Sequence, residues 1–139
     1  MSGMFFNTEF NGDISEWDVS SVTTMKRMFA NSIFTGDISK WDVSSVTEMK
    51  DMFMRSKFNN DISGWDVSNV WNMEGMFQYS EFNQDISEWD VSGAKHMSYM
   101  FYASKFTGDI SKWDMSNVIR YILIFDNEEK YNRARRKKQ

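Results

Sequence analysis

The chain has no cysteine, no proline and a single histidine. Without cysteine there are no disulfides, thiolate zinc sites, thiol nucleophiles or lipid attachment on Cys. His96 stands without a matched ligand or a spaced Ser and acid, so it reads as a surface side chain. No P-loop, GxGxxG or HExxH pattern occurs. These absences exclude the common catalytic classes, and the expectation is a protein that is not an enzyme and takes neither cofactor nor metal. Long apolar runs are missing too. The longest near the start, Met4 to Phe6, falls short of the roughly 7–15 residues of a secretory signal. Val118 to Phe125 is eight residues interrupted by Arg120, far below the ~20 needed to span a bilayer. As given, the chain reads as intracellular with no membrane span, and as a surface protein only if it is a trimmed segment of something longer.

What is present is strongly ordered. Apolar residues make up 41% of the chain and aromatics 17%, which argues against disorder. The stretch from Phe34 to Lys57, FTGDISKWDVSSVTEMKDMFMRSK, returns every 24 residues without insertion. Repeats start at 10, 34, 58, 82 and 106, and a partial repeat carrying Met4-Phe5 precedes the first. Such a period is read before any single residue, because each unit is one rung of a repeat architecture. It accounts for five of the six Trp and eleven of the twelve Phe. The repeats make one body over 1–129, and 130–139 form a basic tail that extends the last helix. That tail carries six basic and no acidic side chains, so a net charge of -4 leaves -10 for the body.

Within a repeat, Trp41 and Val43 flank Asp42 with period two and predict a short strand with both apolar side chains inward. Val46, Met49, Met52 and Phe53 follow at i, i+3, i+6 and i+7 and predict a short helix, with Ser44 or Ser45 at its start. Gly, Asn and Asp in the FTGD or FNND loop mark the turn. One such unit cannot stand alone, because ordering it costs more than its buried side chains return. Stacked units cover one another. The predicted fold is therefore an α/β solenoid of five repeats, each a short parallel strand plus a short helix. At its end, apolar residues replace the polar ones of earlier repeats: Ile119 for Thr23 and Thr47, Ile122 for Lys26 and Lys50, Leu123 for Arg27 and Asp51. These three read as the contact of a C-terminal helical cap, or of a second copy.

The string D-I-S-x-W-D-V-S-x-V-T-x-M-x-x-M-F, repeated over about residues 4 to 125, resembles the repeat of the BspA-like leucine-rich-repeat surface proteins. The resemblance implies a right-handed leucine-rich-repeat-like coil with strands on one face and helices on the other. It also implies adhesion and protein binding without a shared enzymatic activity.

Candidate sites follow from the period. Asp18, Asp42, Asp66, Asp90 and Asp114 alternate with the inward Trp and Val, so they point outward in register. They read either as an acidic strip for a basic partner or as acceptors for the Ser two residues on, in Asx turns. A second series, Asp13 to Asp109, reads as loop carboxylates bonded to their own backbone. Where the repeats disagree, large side chains appear: Trp71, Tyr79, Tyr99 and Tyr102. Exposed Trp and Tyr are preferred interface anchors, which makes these the candidates for a protein partner. The basic residues Arg133, Arg135, Arg136, Lys137 and Lys138 suit a polyanion, but the acidic body repels it and no base-reading motif accompanies them. Nucleic acid is the disfavoured alternative. A structural role, with copies docking end to end, is the rival to protein binding.

Overall fold

The computed structural model describes residues 1–136. The predicted strand-and-helix solenoid, and with it the leucine-rich-repeat architecture, is not what forms. Among the described residues there is no strand, and the sole helix is α1, Glu128–Arg136. Each repeat is a run of turns instead, joined to its neighbours by isolated parallel bridges at Thr24–Glu48, Glu48–Asn72, Asn72–His96 and His96–Arg120.

The reason lies in where the backbone amides go. The amides of Met49, Asp51, Phe53 and Arg55 donate to the carbonyls of Asn72, Glu74, Met76 and Gln78 in the following repeat, at 2.8–3.0 Å. A helix would send them four residues back along its own chain. Between them, Met52 and Met54 close i to i+3 turns onto Met49 and Asp51. Successive i to i+3 turns place i, i+3 and i+6 on one side as well as a helix does. Val46, Met49, Met52 and Phe53 are therefore all fully buried without being helical. The first four repeats also hold two left-handed residues each and the fifth holds one: Arg27, Asp51, Gly75, Tyr99 and Leu123 at one place and Asn31, Arg55, Tyr79 and Ala103 at the other, with φ between 47° and 62°. A right-handed helix contains neither. The expected strand fails for a similar reason, because Trp41 and Val46 close turns onto Ile38 and Val43.

The core is a set of columns. Phe5, Phe29, Phe53, Phe77 and Phe101 stack with ring centroids 5.6–5.7 Å apart. Phe10, Phe34, Phe58, Phe82 and Phe106 form a second column at 6.3–6.5 Å. Beside them run Trp41, Trp65, Trp89 and Trp113, each 3–4% exposed. Each indole Nε1 donates to the Ile carbonyl of the repeat before, at 3.0–3.1 Å. Trp17 differs: its indole has no such carbonyl partner among the described residues, and it is 42% exposed.

At the other end α1 takes over the missing level. Asn127 caps it by accepting the Lys130 amide at 2.9 Å. Ala134 is buried, and its carbonyl accepts the Ile110 amide. Arg135 Nη1 donates to the carbonyls of Ile110 and Trp113 at 2.8 and 3.0 Å. Its guanidinium thus does for Ile110 what the next tryptophan does for every earlier Ile.

Candidate functional site

The variable places form a surface. In the middle repeats Arg55 sits over the Tyr79 ring at 4.5 Å. Tyr79 meets Tyr102 edge-on at 5.8 Å, and Tyr102 meets Tyr99 at 5.9 Å. Trp71 meets His96 edge-on at 5.1 Å. Trp71 and Tyr79 remain 39% and 44% exposed. The fold positions them without using their side chains. The Tyr79 and Tyr99 amides donate to the repeat beyond, and the left-handed backbone at both directs the rings away from the Met-Phe core. Trp71 bonds through its amide to Thr47 and through its carbonyl to Lys95 and His96.

Sequence reasoning named the four aromatics but missed Arg55 and His96. The signal was the period itself, since Arg55 and Tyr79 are one repeat apart and so become neighbours. Tyr121 was missed as well. It stands where Met25, Met49, Met73 and Met97 are fully buried, yet it is 66% exposed.

The acidic series is placed outward, and each carboxylate is engaged by its own turn. Asp18, Asp42 and Asp66 each accept the amide of the Ser two residues on at 3.0 Å and its hydroxyl at 2.6 Å. Asp90 is bonded to Ser92 in the same way, and Asp114 accepts the Ser116 amide at 3.0 Å. The serine hydroxyl, and then its amide, holds the carboxyls of Asp18, Asp42, Asp90 and Asp114 below the usual carboxylate range. The second series is alike: Asp13, Asp37, Asp61, Asp85 and Asp109 accept the amides of Ser15, Ser39, Ser63, Ser87 and Ser111 at 2.8–2.9 Å. Among the described residues no group of three His, Cys, Asp or Glu could hold a metal ion.

Ile119, Ile122 and Leu123 are 68%, 64% and 47% exposed. They do not pack beneath α1, which lies against Ile110 and Trp113 instead. Beside them opens a hollow of about 260 Å³ lined by Tyr121, Leu123, Ile124, Phe125, Asn127, Glu128 and Tyr131. Of the basic tail, Arg135 is engaged as described and Arg133 pairs with Glu129 at 3.1 Å. Lys137 and Lys138 lie outside the described residues. Among the described residues no helix is long and apolar enough to cross a membrane.

Two overlapping segments, residues 1–78 and 32–138, match the family model described as Mycoplasma protein of unknown function, DUF285. The chain belongs to that family. No curated protein and no solved structure matches it. What this DUF285 chain offers a partner is its own surface. Among the described residues it carries the aromatic contacts of the middle repeats and exposed apolar side chains at both ends, Met4, Phe6, Phe10 and Trp17 at one and Ile119, Tyr121, Ile122 and Leu123 beside α1 at the other.

Proposed function

We propose that this chain is a non-catalytic protein-binding module whose contact face is the aromatic cluster of the middle repeats. The observation that carries the reading is the run Arg55, Tyr79, Tyr102, Tyr99, in which each ring touches the next and Tyr79 stays 44% exposed. Rings held edge-on by neighbours lose little freedom on binding, and Tyr, Trp and Arg are the residue types that anchor interfaces. The string DISxWDVSxVTxMxxMF, shared with the BspA-like surface proteins, supports the same reading at the level of family resemblance. The acidic series supports a basic partner less well, because its carboxylates already accept two bonds each from their own serines.

The test is affinity purification with the intact chain and with a Trp71→Ala, Tyr79→Ala double variant, followed by titration of whatever protein only the intact chain retains. The expected result is at least roughly a tenfold weaker Kd for the variant with the melting temperature unchanged. Equal retention by both forms counts against this face.

A further inference from the structure

In one segment of each repeat, residues 25 to 31 and the places that match, the amides that cross between repeats all run forward. From the first to the last, amides at one place in a repeat donate to carbonyls 23 residues on: Gly3 to Lys26, Arg27 to Lys50, Asp51 to Glu74, Gly75 to Ser98, Tyr99 to Ile122. Along this segment the two ends of the stack are therefore chemically opposite. At the α1 end, the amides of Leu123, Phe125 and Asn127 have no acceptor among the described residues. At the other end, the carbonyls of Ser2, Met4 and Phe6 have no donor. A donor edge does not pair with a copy of itself, but it fits an acceptor edge in the register already used five times inside the chain.

Shape and charge agree with this polarity. The donor edge carries the exposed Tyr121 and Leu123 and the hollow beside them. The acceptor edge carries Met4, Phe6, Phe10 and Trp17, 49%, 46%, 37% and 42% exposed. Tyr121 and Met4 each stand where inner repeats bury a methionine completely, so both edges are core surfaces left open. α1 supplies Arg133, Arg135 and Arg136 in its last turn. Residues 1–25 hold Glu9, Asp13, Glu16 and Asp18 and no Lys or Arg. α1 covers Ile110 and Trp113, whose counterparts at the other end are Ile14 and the exposed Trp17.

We infer that the occupant of the donor edge is a second copy of this chain, docked head to tail by its residues 1–7, with α1 lying under its Phe10 and Trp17. In that register Leu123, Phe125 and Asn127 donate to the second copy's Ser2, Met4 and Phe6 carbonyls, and the second copy's Phe5 extends the ring column beyond Phe125. Such a contact uses two different surfaces, so it propagates into open chains rather than closing as a pair. This goes beyond the aromatic face and does not depend on it.

Sedimentation velocity of the 139-residue chain from about 1 to 500 µM tests it, since heterologous contacts grow with concentration. The expected result is a series beyond the dimer. Tyr121→Lys and Met4→Lys each place a charge on one edge and are expected to weaken association by at least roughly tenfold, with melting curves like that of the parent. Mixed one to one, the two variants are expected to form a heterodimer and nothing larger, because only one intact edge of each kind remains. A parent that stays monomeric, a parent that stops at a dimer, or a mixture of variants that stays monomeric overturns the proposal.

Discussion

From residues 25 to 31, and at the same places in each later repeat, backbone amides carry the chain to the next level; from 34 to 43, and at the places that match, side chains do it. In the first half, Met25, Arg27, Phe29 and Asn31 all donate from their amides across to the following repeat. In the second, the links are the Trp indole to the Ile carbonyl and pairs such as Asn11 Oδ1 with the Thr35 amide at 2.9 Å. A backbone bond is indifferent to the side chain that rides on it, and an indole bond is not. This explains why one left-handed place holds Arg27, Asp51, Gly75, Tyr99 and Leu123 in turn while Trp, Ile and the Asp-Ser pairs return unchanged. Large exposed rings collect in the half that tolerates them.

The comparison breaks most readily at a tryptophan. Trp65 is 4% exposed, contacts Phe53 at 6.3 Å and bonds Ile38 at 3.1 Å. Trp65→Ala is expected to cost about 3–5 kcal/mol, as aromatic truncations in packed cores do. Trp65→Phe keeps much of the apolar contact and drops the indole bond, at about 1–2 kcal/mol. Urea titration followed by far-UV dichroism reads both. Equal losses for the two variants would mean that the bond, and not the packing, joins the side-chain half.

The backbone half is probed at Gly75, where φ is +62° and an added Cβ would lie 2.1 Å from Asp51 Oδ1. Gly75→Ala is expected to cost about 1–2 kcal/mol for the left-handed backbone alone, with a further loss from displacing the buried Asp51 carboxylate. The same titration measures it. If Gly75→Ala is neutral, then this half does not depend on the positive φ that its hydrogen-bond direction requires.

How far the sequence reaches follows from the same division. The period, the inward Trp, Ile, Val and Met, and the Asx turns were legible because each is written in side chains of fixed type. The helix was misread because a stripe at i, i+3 and i+6 is common to a helix and to linked i to i+3 turns, and the residues at left-handed places are mostly not glycine. Tyr99, Arg55 and Tyr79 give no warning of a positive φ; the ladder to the next repeat imposes it. For the candidate site, Trp71 and the three tyrosines were visible as breaks in the pattern. Arg55 and His96 become partners only when one repeat lies on the next, and Tyr121 sits at a core place that only the end of the stack exposes.

The least perturbing probe of the comparison is acid. Asp13, Asp18, Asp37, Asp42, Asp61, Asp85, Asp90 and Asp114 all belong to the side-chain half, and bonds from the hydroxyl and amide of a nearby serine hold each carboxyl below its usual range. With folded pKa values below the unfolded ones, the unfolded chain binds more protons as pH falls. The stability these groups contribute is thus present above about pH 4 and lost below it. Asp51, in the backbone half, runs the other way: burial raises its pKa, against the opposing pull of Lys50 and Arg27. Its contribution is present at low pH and lost as pH rises, which partly masks the acid loss. Thermal melts from pH 7 to pH 3 are expected to show a falling Tm below about pH 4, and a steeper fall in Asp51→Asn, where the opposing group is gone. A Tm that holds steady to pH 3 would mean that the serine-bonded carboxylates, for all their regularity, do not help to hold the side-chain half together.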